Sequence, residues 1–407
     1  MSYQLITLVA AALGMTLVGL TYNAAPVLFM VAAIAAILLV SYASCLLSAR
    51  ALRGTRWDAG QVFENEAFTV TAELANEGRA PRLLTTVADK LPSGVRAEEA
   101  PEFVLPALWP GQRARVSYQA RAAKRGAYQL GPLSVAASDP FGIFQRWQSL
   151  PAVAEAIVYP RPVPISGDLD RAGAEPRGAA SGERARAVDS GLDFYGVRDY
   201  QPGDDLRRIH WPATAHHGRL TVVEFERGAS GSLTVVLDTK AGTEFGAGRE
   251  TTLEVGVKAA ASLLHWALEN DGSAHLALDS AHGPRWVEVD RASGEHELLE
   301  ALARAEAEGT MPVSAVAAWA QPRIPWGSAV YIVTAAPDEG LPFVVSDLLR
   351  GGAHIAFLLL DASSFNERAA TPEEMTASVR SAGAATTTVK RGDDLGEVLR
   401  SVLVAGG

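Results

Sequence analysis

The sequence predicts a multidomain chain: an N-terminal transmembrane helical hairpin, a small β-sandwich, and a doubly wound α/β domain. Three observations predict it. Met1 to Ala49 contains no Asp, Glu, Lys, Arg or His. From Trp57 to about Pro164, short runs alternate apolar and polar residues with a period of two, as half-buried strands do. From Ser232 onward, apolar strand-like runs alternate with stretches of helical apolar spacing, the sequence form of a mostly parallel sheet.

Residues 1–50 hold two apolar runs, about Gln4–Tyr22 and Val27–Ala49, broken by Asn23-Ala24-Ala25-Pro26. Each is close to the roughly 20 residues that cross a bilayer, so the lipid bilayer is an expected partner through residues 4–49. A buried core hairpin accounts poorly for two such long uncharged runs. A cleaved signal peptide would need a basic residue ahead of the first run, and a second span follows at once. Arg50, Arg53 and Arg56 follow the second run, and the loop between the runs has no cation. By the positive-inside rule the soluble bulk faces the cytoplasm, which predicts a multi-pass protein of the cell (inner or plasma) membrane.

A chain of 407 residues suggests two or three domains. The net charge of −10 disfavours nucleic acid as a partner, because phosphate neutralisation needs cations, though it leaves room for a local basic patch. Cys45 is the one cysteine, so neither an intrachain disulfide nor a cysteine zinc cluster can form. Its apolar surroundings predict a buried thiol.

Residues 57–164 form the predicted sandwich. Phe68–Leu74 and Arg113–Ala120 alternate cleanly, and Asn76-Glu77-Gly78, Leu91-Pro92-Ser93-Gly94, Trp109-Pro110-Gly111 and Arg125-Gly126 supply turns. Residues 165–188, rich in Gly, Ala and charge, read as a flexible linker. In residues 232–407, strands are expected at Leu233–Leu237, Ala274–Leu278, Val330–Val333, Ile355–Leu360 and Thr386–Val389. Helices are expected at Thr252–Leu268, Glu295–Ala307, Phe343–Leu349, Pro372–Ala382 and Leu395–Val402.

Between linker and α/β domain, residues 189–231 are dense in charge, aromatics and turn residues. Tyr195–Tyr200 reads as extended, Gln201-Pro202-Gly203 as a turn, and Asp204 as the cap of a short helix that Pro212 ends. Leu220–Phe225 resumes as a strand. Gly196, Arg198, Tyr200, Pro202-Gly203-Asp204, Arg207, Ile209, Trp211 and Gly218-Arg219-Leu220 together resemble the signature of the domain of unknown function 58 family. Arg125–Pro132 and Asp139–Phe144 look like the same family. Family members usually carry Arg where His216 and Val223 stand here. For Asp139-Pro140-Phe141-Gly142 the expectation is a turn with an aromatic plug into the sandwich. The resemblance also implies partners, a MoxR-type AAA+ ATPase and a transglutaminase-like membrane protein, and a C-terminal von Willebrand factor A-like domain.

That last likeness focuses on Asp238-Thr239-Lys240-Ala241-Gly242. A working adhesion-type metal site reads Asp-x-Ser-x-Ser, because Mg²⁺ wants hard oxygen ligands. Here Lys240 and Gly242 replace both serines, and Thr334 is followed by Ala335-Ala336 rather than an aspartate. The expectation is a degenerate site, Asp238 with Lys240, in which the ammonium pairs with the carboxylate and no metal or other cofactor is used. Neither a nucleophile elbow, a phosphate loop nor a dinucleotide fingerprint occurs in the sequence.

The arginines of the signature admit two uses. Paired with Asp199, Asp205, Glu224 and Glu226 they would form a structural buckle. Exposed, Tyr195, Arg198, Tyr200, Asp204, Arg207, Arg208, Trp211 and Arg219 would form a docking face, since Arg, Tyr and Trp dominate interface hot spots. The expected function is a membrane-anchored, non-enzymatic scaffold or adaptor. The alternative is a metal-dependent hydrolase at the membrane surface, using Asp204, Asp205, His210, His216 and His217.

Overall fold

The structure, a computed structural model, describes residues 3–48, 51–57, 60–139, 141–165, 192–199, 214, 221–227, 232–270, 272–366, 369 and 373–406. The chain divides into two compact units, Met1–Tyr159 and Pro160–Gly407.

The first unit opens with two helices, α1 (Tyr3–Thr21) and α2 (Ala25–Ser48). Asn23, in the left-handed region at φ 49°, turns the chain between them. One stretch, Ala25–Leu46, is long and apolar enough to cross a membrane; the apolar part of α1, Leu5–Thr21, is shorter. Eleven strands follow: β1 (Leu52–Arg56), β2 (Gln61–Phe63), β3 (Ala67–Asn76), β4 (Arg82–Asp89), β5 (Val95–Ala97), β6 (Glu102–Leu108), β7 (Arg113–Ala122), β8 (Gly126–Leu130), β9 (Leu133–Ser138), β10 (Gln145–Leu150) and β11 (Ala154–Tyr159).

They form a four-stranded sheet β1-β3-β7-β5, a second β10-β9-β4-β6, and a three-stranded sheet β2-β11-β8. The alternation in β3 and β7 is the physical basis of the first sheet, since every second side chain is buried. Leu52, Ala72, Leu74 and Val116 of that sheet join Val87, Leu108, Leu133, Val135 and Leu150 of the second in one apolar cluster. Inside this unit Arg56 and Asp89 form an ion pair at 2.7 Å, with side chains 0% and 2% exposed. Tyr118 donates its hydroxyl to the same Asp89 oxygen. One of the arginines expected to mark the cytoplasmic flank is thus enclosed in the fold, while Arg53 stays exposed beside Glu77.

Asp139 makes the expected turn. Its carboxylate accepts from the backbone N–H groups of Phe141 at 3.0 Å and Phe144 at 2.6 Å. The expected aromatic plug is corrected: Phe141 is 60% exposed, and Ile143 is the buried side chain of the turn. Phe144 packs instead on Tyr42 of α2, ring centroids 5.5 Å apart. Cys45 is buried, as its sequence context predicts, 3.8 Å from the Ala137 carbonyl.

In the second unit, β12 (Leu192–Asp199) pairs antiparallel with β13 (Thr221–Arg227). The main sheet contains β14 (Ser232–Leu237), β17 (Ser273–Ser280), β18 (Gly283–Val289), β19 (Ala329–Thr334), β20 (His354–Leu360) and β21 (Ala385–Val389); β15 (Gly246–Ala247) and β16 (Glu250–Thr251) form a small ribbon. The order is β18-β17-β14-β19-β20-β21. All neighbours are parallel except β18, which pairs antiparallel with β17. The chain winds outward one way from β14 to β17, then crosses to β19, so the order reverses between β14 and β19.

Helices α3 (Thr252–Glu269), α4 (His296–Ala303), α5 (Val313–Ala320), α6 (Leu341–Arg350), α7 (Ala362–Phe365), α8 (Glu373–Ser381) and α9 (Leu395–Gly406) intervene. Thr251 caps α3 by accepting from Glu254 N–H, and the predicted stripe Leu253, Val257, Ala260, Ala261, Leu264 and Leu268 is buried. Gly256 lets α3 lie close on the sheet, since a Cβ there would come 3.2 Å from Leu360 and 3.4 Å from Leu237 and Val333. Helix α4 stops short of the expected Ala307. The chain leaves it to climb to the crest of the sheet, where Gly309 pairs with Lys240. Strand β18 and helix α5 were not expected from the sequence.

Candidate functional site

In an open α/β sheet, the crevice beyond the strand carboxyl ends at the order reversal is where ligands bind. Here that point lies between Asp238, just after β14, and Thr334, the last residue of β19. The two residues touch. Thr334 donates its hydroxyl to Asp238 Oδ2 at 2.6 Å, and the backbone N–H of Lys240 donates to Oδ1 at 3.1 Å. Asp238 is 8% exposed. Burial pushes its carboxyl above the ordinary range; the Thr334 and Lys240 hydrogen bonds pull it back, and Asp338 adds to the rise.

Of the expected Lys240–Asp238 pairing, the direct contact is through the backbone of Lys240, since an aspartate ending a strand readily accepts from the N–H two residues on. No ion pair within 4 Å joins the ammonium to the carboxylate among the described residues, but the Lys240 charge also draws the Asp238 carboxyl down.

Two further carboxylates on the crest accept from the backbone in the same way. Asp279, at the end of β17, accepts through Oδ2 from Thr310 N–H at 2.6 Å and Met311 N–H at 2.8 Å, while its Oδ1 is buried without a hydrogen-bond partner. Asp338 accepts from Ser314 N–H at 3.1 Å and Gly340 N–H at 2.9 Å. Thr239 ties two strand ends together, donating to the Asp279 carbonyl at 2.6 Å while accepting from Asp279 N–H at 3.2 Å. Sequence reasoning missed Asp279 and Asp338. Their signal was present, since each lies at or soon after the carboxyl end of a strand. The cavity beside Asp238, lined by Thr243, Glu244, Thr252 and Thr334, measures about 10 Å³. Pockets for small organic ligands run to roughly 300–1,000 Å³, so this crevice as it stands holds no substrate of that class.

The signature segment is described only in part. Tyr195 and Arg198 lie on β12, with a register shift at Tyr195 and with Arg198 opposite Val222. Val223, one of the departures from the family pattern, stands opposite Val197. Tyr200, Asp204, Asp205, Arg207, Arg208, His210, Trp211, His216, His217 and Arg219 lie outside the described residues. Among the described residues, no group of three His, Cys, Asp or Glu side chains is placed to hold a metal ion.

What is defined so far is a class: a chain with an apolar N-terminal helix, a β-rich unit, and an α/β unit whose mixed sheet closes its own crevice. Residues 196–364 match the family described as Protein of unknown function DUF58, which agrees with the resemblance read from the signature. An uncharacterized protein, YeaD of Bacillus subtilis (strain 168), is 25% identical over 225 residues, covering 54% of this chain and 54% of that protein. The chain thus matches about half the length of this curated relative.

Solved structures overlap smaller parts. The native conformation of E. coli alpha-2-macroglobulin is 14% identical over 28% of this chain and 7% of that one, with a TM-score of 0.22. The CARDB domain of PF1109 from Pyrococcus furiosus is 13% identical over 26% of this chain and 94% of that domain, with a TM-score of 0.18. Neither overlap bears on activity.

Proposed function

We propose that this chain is a membrane-anchored, non-enzymatic adaptor, with a β-sandwich and a von Willebrand A-like binding domain held at the cytoplasmic face by two N-terminal spans. The observation that carries this reading is the closed crest. At the one position where the sheet topology favours a ligand, Asp238 is already satisfied by Thr334 and by the chain's own backbone. The strand order, with its antiparallel edge strand β18, supports the von Willebrand A-like assignment. The docking face is the signature segment, with Tyr195, Arg198, Tyr200, Asp204, Arg207, Arg208, Trp211 and Arg219. Its partner is a MoxR-type AAA+ ATPase, in company with a transglutaminase-like membrane protein, and the setting is envelope-related protein assembly. The partner identities rest on the family resemblance.

The test is a pull-down from gentle detergent extracts, comparing the wild type with the Arg207→Ala/Trp211→Ala double variant. Recovery of an AAA+ ATPase by the wild type and its loss from the folded double variant is the expected result. Equal recovery by both removes the docking face. Recovery of no partner, with a stoichiometric divalent ion in the purified protein, transfers support to a hydrolase built on Asp204–His217.

A further inference from the structure

Helix α2 is exposed along most of its length, but two of its described residues, Ser41 and Cys45, are buried. They lie one turn apart on one face. What faces this part of the helix is the hairpin of β9 and β10. Cys45 meets Ala137 near the end of β9, and Tyr42 meets Phe144 just before β10. The order of these contacts sets a direction. Passing from Ala137 to the turn means passing from Cys45 back to Tyr42, away from the helix end and toward the middle of the apolar stretch Ala25–Leu46.

At 1.5 Å per residue that stretch is about as long as a bilayer's hydrocarbon core is thick. A turn lying alongside Tyr42 is therefore level with the lipid, not above it. The side chain at the turn is Phe141, 60% exposed, on a backbone that the Asp139 carboxylate fixes. Exposed Trp147 and Arg146 follow on β10. Aromatic and basic side chains of this kind populate the bilayer–water interface, where an apolar body and a polar or charged tip are both satisfied.

We propose that the β9–β10 turn is a second membrane contact, which seats Phe141 in the lipid beside α2 with Arg146 and Trp147 at the headgroups. The occupant of this surface is the bilayer itself. The inference rests on α2 crossing the membrane. It goes beyond that reading, because it makes the β-rich unit a peripheral lipid-binding element as well as a tethered one. In this arrangement Asp139 has a positioning role: it holds the turn so that the ring points outward.

The test uses the full chain reconstituted in vesicles of equal parts phosphatidylcholine and phosphatidylglycerol. The photoreactive analogue benzoylphenylalanine replaces one residue at a time, at Phe141, at Leu39 on the exposed face of α2, or at Glu102. Glu102 is on strand β6 and in register with Ala88, which pairs with Ser134 at the end of the sheet away from the turn. All three positions are exposed, so none of the replacements disturbs the core. After irradiation, mass spectrometry reads phospholipid adducts. Adducts at positions 141 and 39, with at least a tenfold lower yield at 102, are expected. Adducts at 39 with none at 141 overturn the lipid-seated turn and leave the spanning helix standing. Absence of adducts at 39 refutes the spanning helix, and the proposal with it.

Discussion

Replacing Asp89 by Ala strips the carboxylate from a guanidinium that has no access to water. The Arg56 and Asp89 side chains are 0% and 2% exposed and 2.7 Å apart. Breaking such a pair by removing one member typically costs about 3–5 kcal/mol, because the survivor stays buried and charged. Tyr118 loses the acceptor of its hydroxyl at the same time. That bond and burial together push its phenol well above the ordinary range, burial being the larger cause. The orphaned hydroxyl belongs to the same network, so its cost falls within the range above rather than on top of it. A loss of about 3–5 kcal/mol corresponds to amide exchange faster by roughly two to four powers of ten, at 1.4 kcal/mol per tenfold. Hydrogen exchange read by peptide in the full chain locates the effect: β1, β4 and β7 lose protection, while β14 and β19 of the other unit do not. The double variant Arg56→Met/Asp89→Leu supplies the control, since apolar replacements of similar size for both partners are often neutral or stabilising. If Asp89→Ala changes exchange in β1, β4 and β7 by less than about tenfold, the buried pair is not the constraint inferred here. If the double variant is as damaged as the single one, an orphaned charge is not the cause.

Two other perturbations probe the α/β unit. Thr334→Val removes the hydroxyl that Asp238 Oδ2 accepts from and should cost about 1–3 kcal/mol. Losing that donor raises the Asp238 carboxyl further, so the variant's deficit against the wild type should grow as pH climbs from the wild type's raised value toward the variant's still higher one, the unfolded value being common to both, and Asp238→Asn should flatten that trend in urea melts. The second concerns His265, whose Nδ1 lies 2.7 Å from Glu295 Oε2. This hydrogen bond holds His265 above its ordinary value and Glu295 below its own. The histidine's contribution is full below about 6.5 and is lost as pH rises through its raised value; the glutamate's is full above about 4.5 and is lost as pH falls through its lowered value. Stability against pH should therefore peak between those limits, and Glu295→Gln should remove the peak; an unchanged profile would show that the pair is not coupled to folding.

The α/β unit was the most legible part of the chain, because its strands are buried on both faces and its helices carry wide apolar stripes. The stripe from Leu253 to Leu268 could be placed residue by residue, since one helix period accounts for it. Strand β18 escaped notice because it is an edge strand whose exposed and half-buried residues dilute the alternation. In the β-rich unit β3 and β7 stood out, being long and regularly alternating, whereas β10 keeps most of its residues exposed or half-buried and reads as polar coil. Phe141 was misjudged for a physical reason: a turn motif specifies backbone, and nothing in Asp-Pro-Phe-Gly says which side the ring takes. At the crest, Asp238 was recognised from its place after a strand. The partnership with Thr334 depends on two strands whose contacting residues are 96 positions apart in the sequence, and no local pattern encodes that.

Only Ala49, Arg50 and Ala51 separate the end of α2 from β1, and β1 pairs with β3 along its whole length. Three residues of chain reach roughly 10 Å at full stretch, which leaves almost no slack. The β-rich unit is therefore geared to the helix rather than dangling from it. A tilt of the helix must swing the whole unit, and a load placed on the unit must pull on the helix. Anything this unit grips is held at a fixed distance from the end of α2, as if by a bracket rather than a leash.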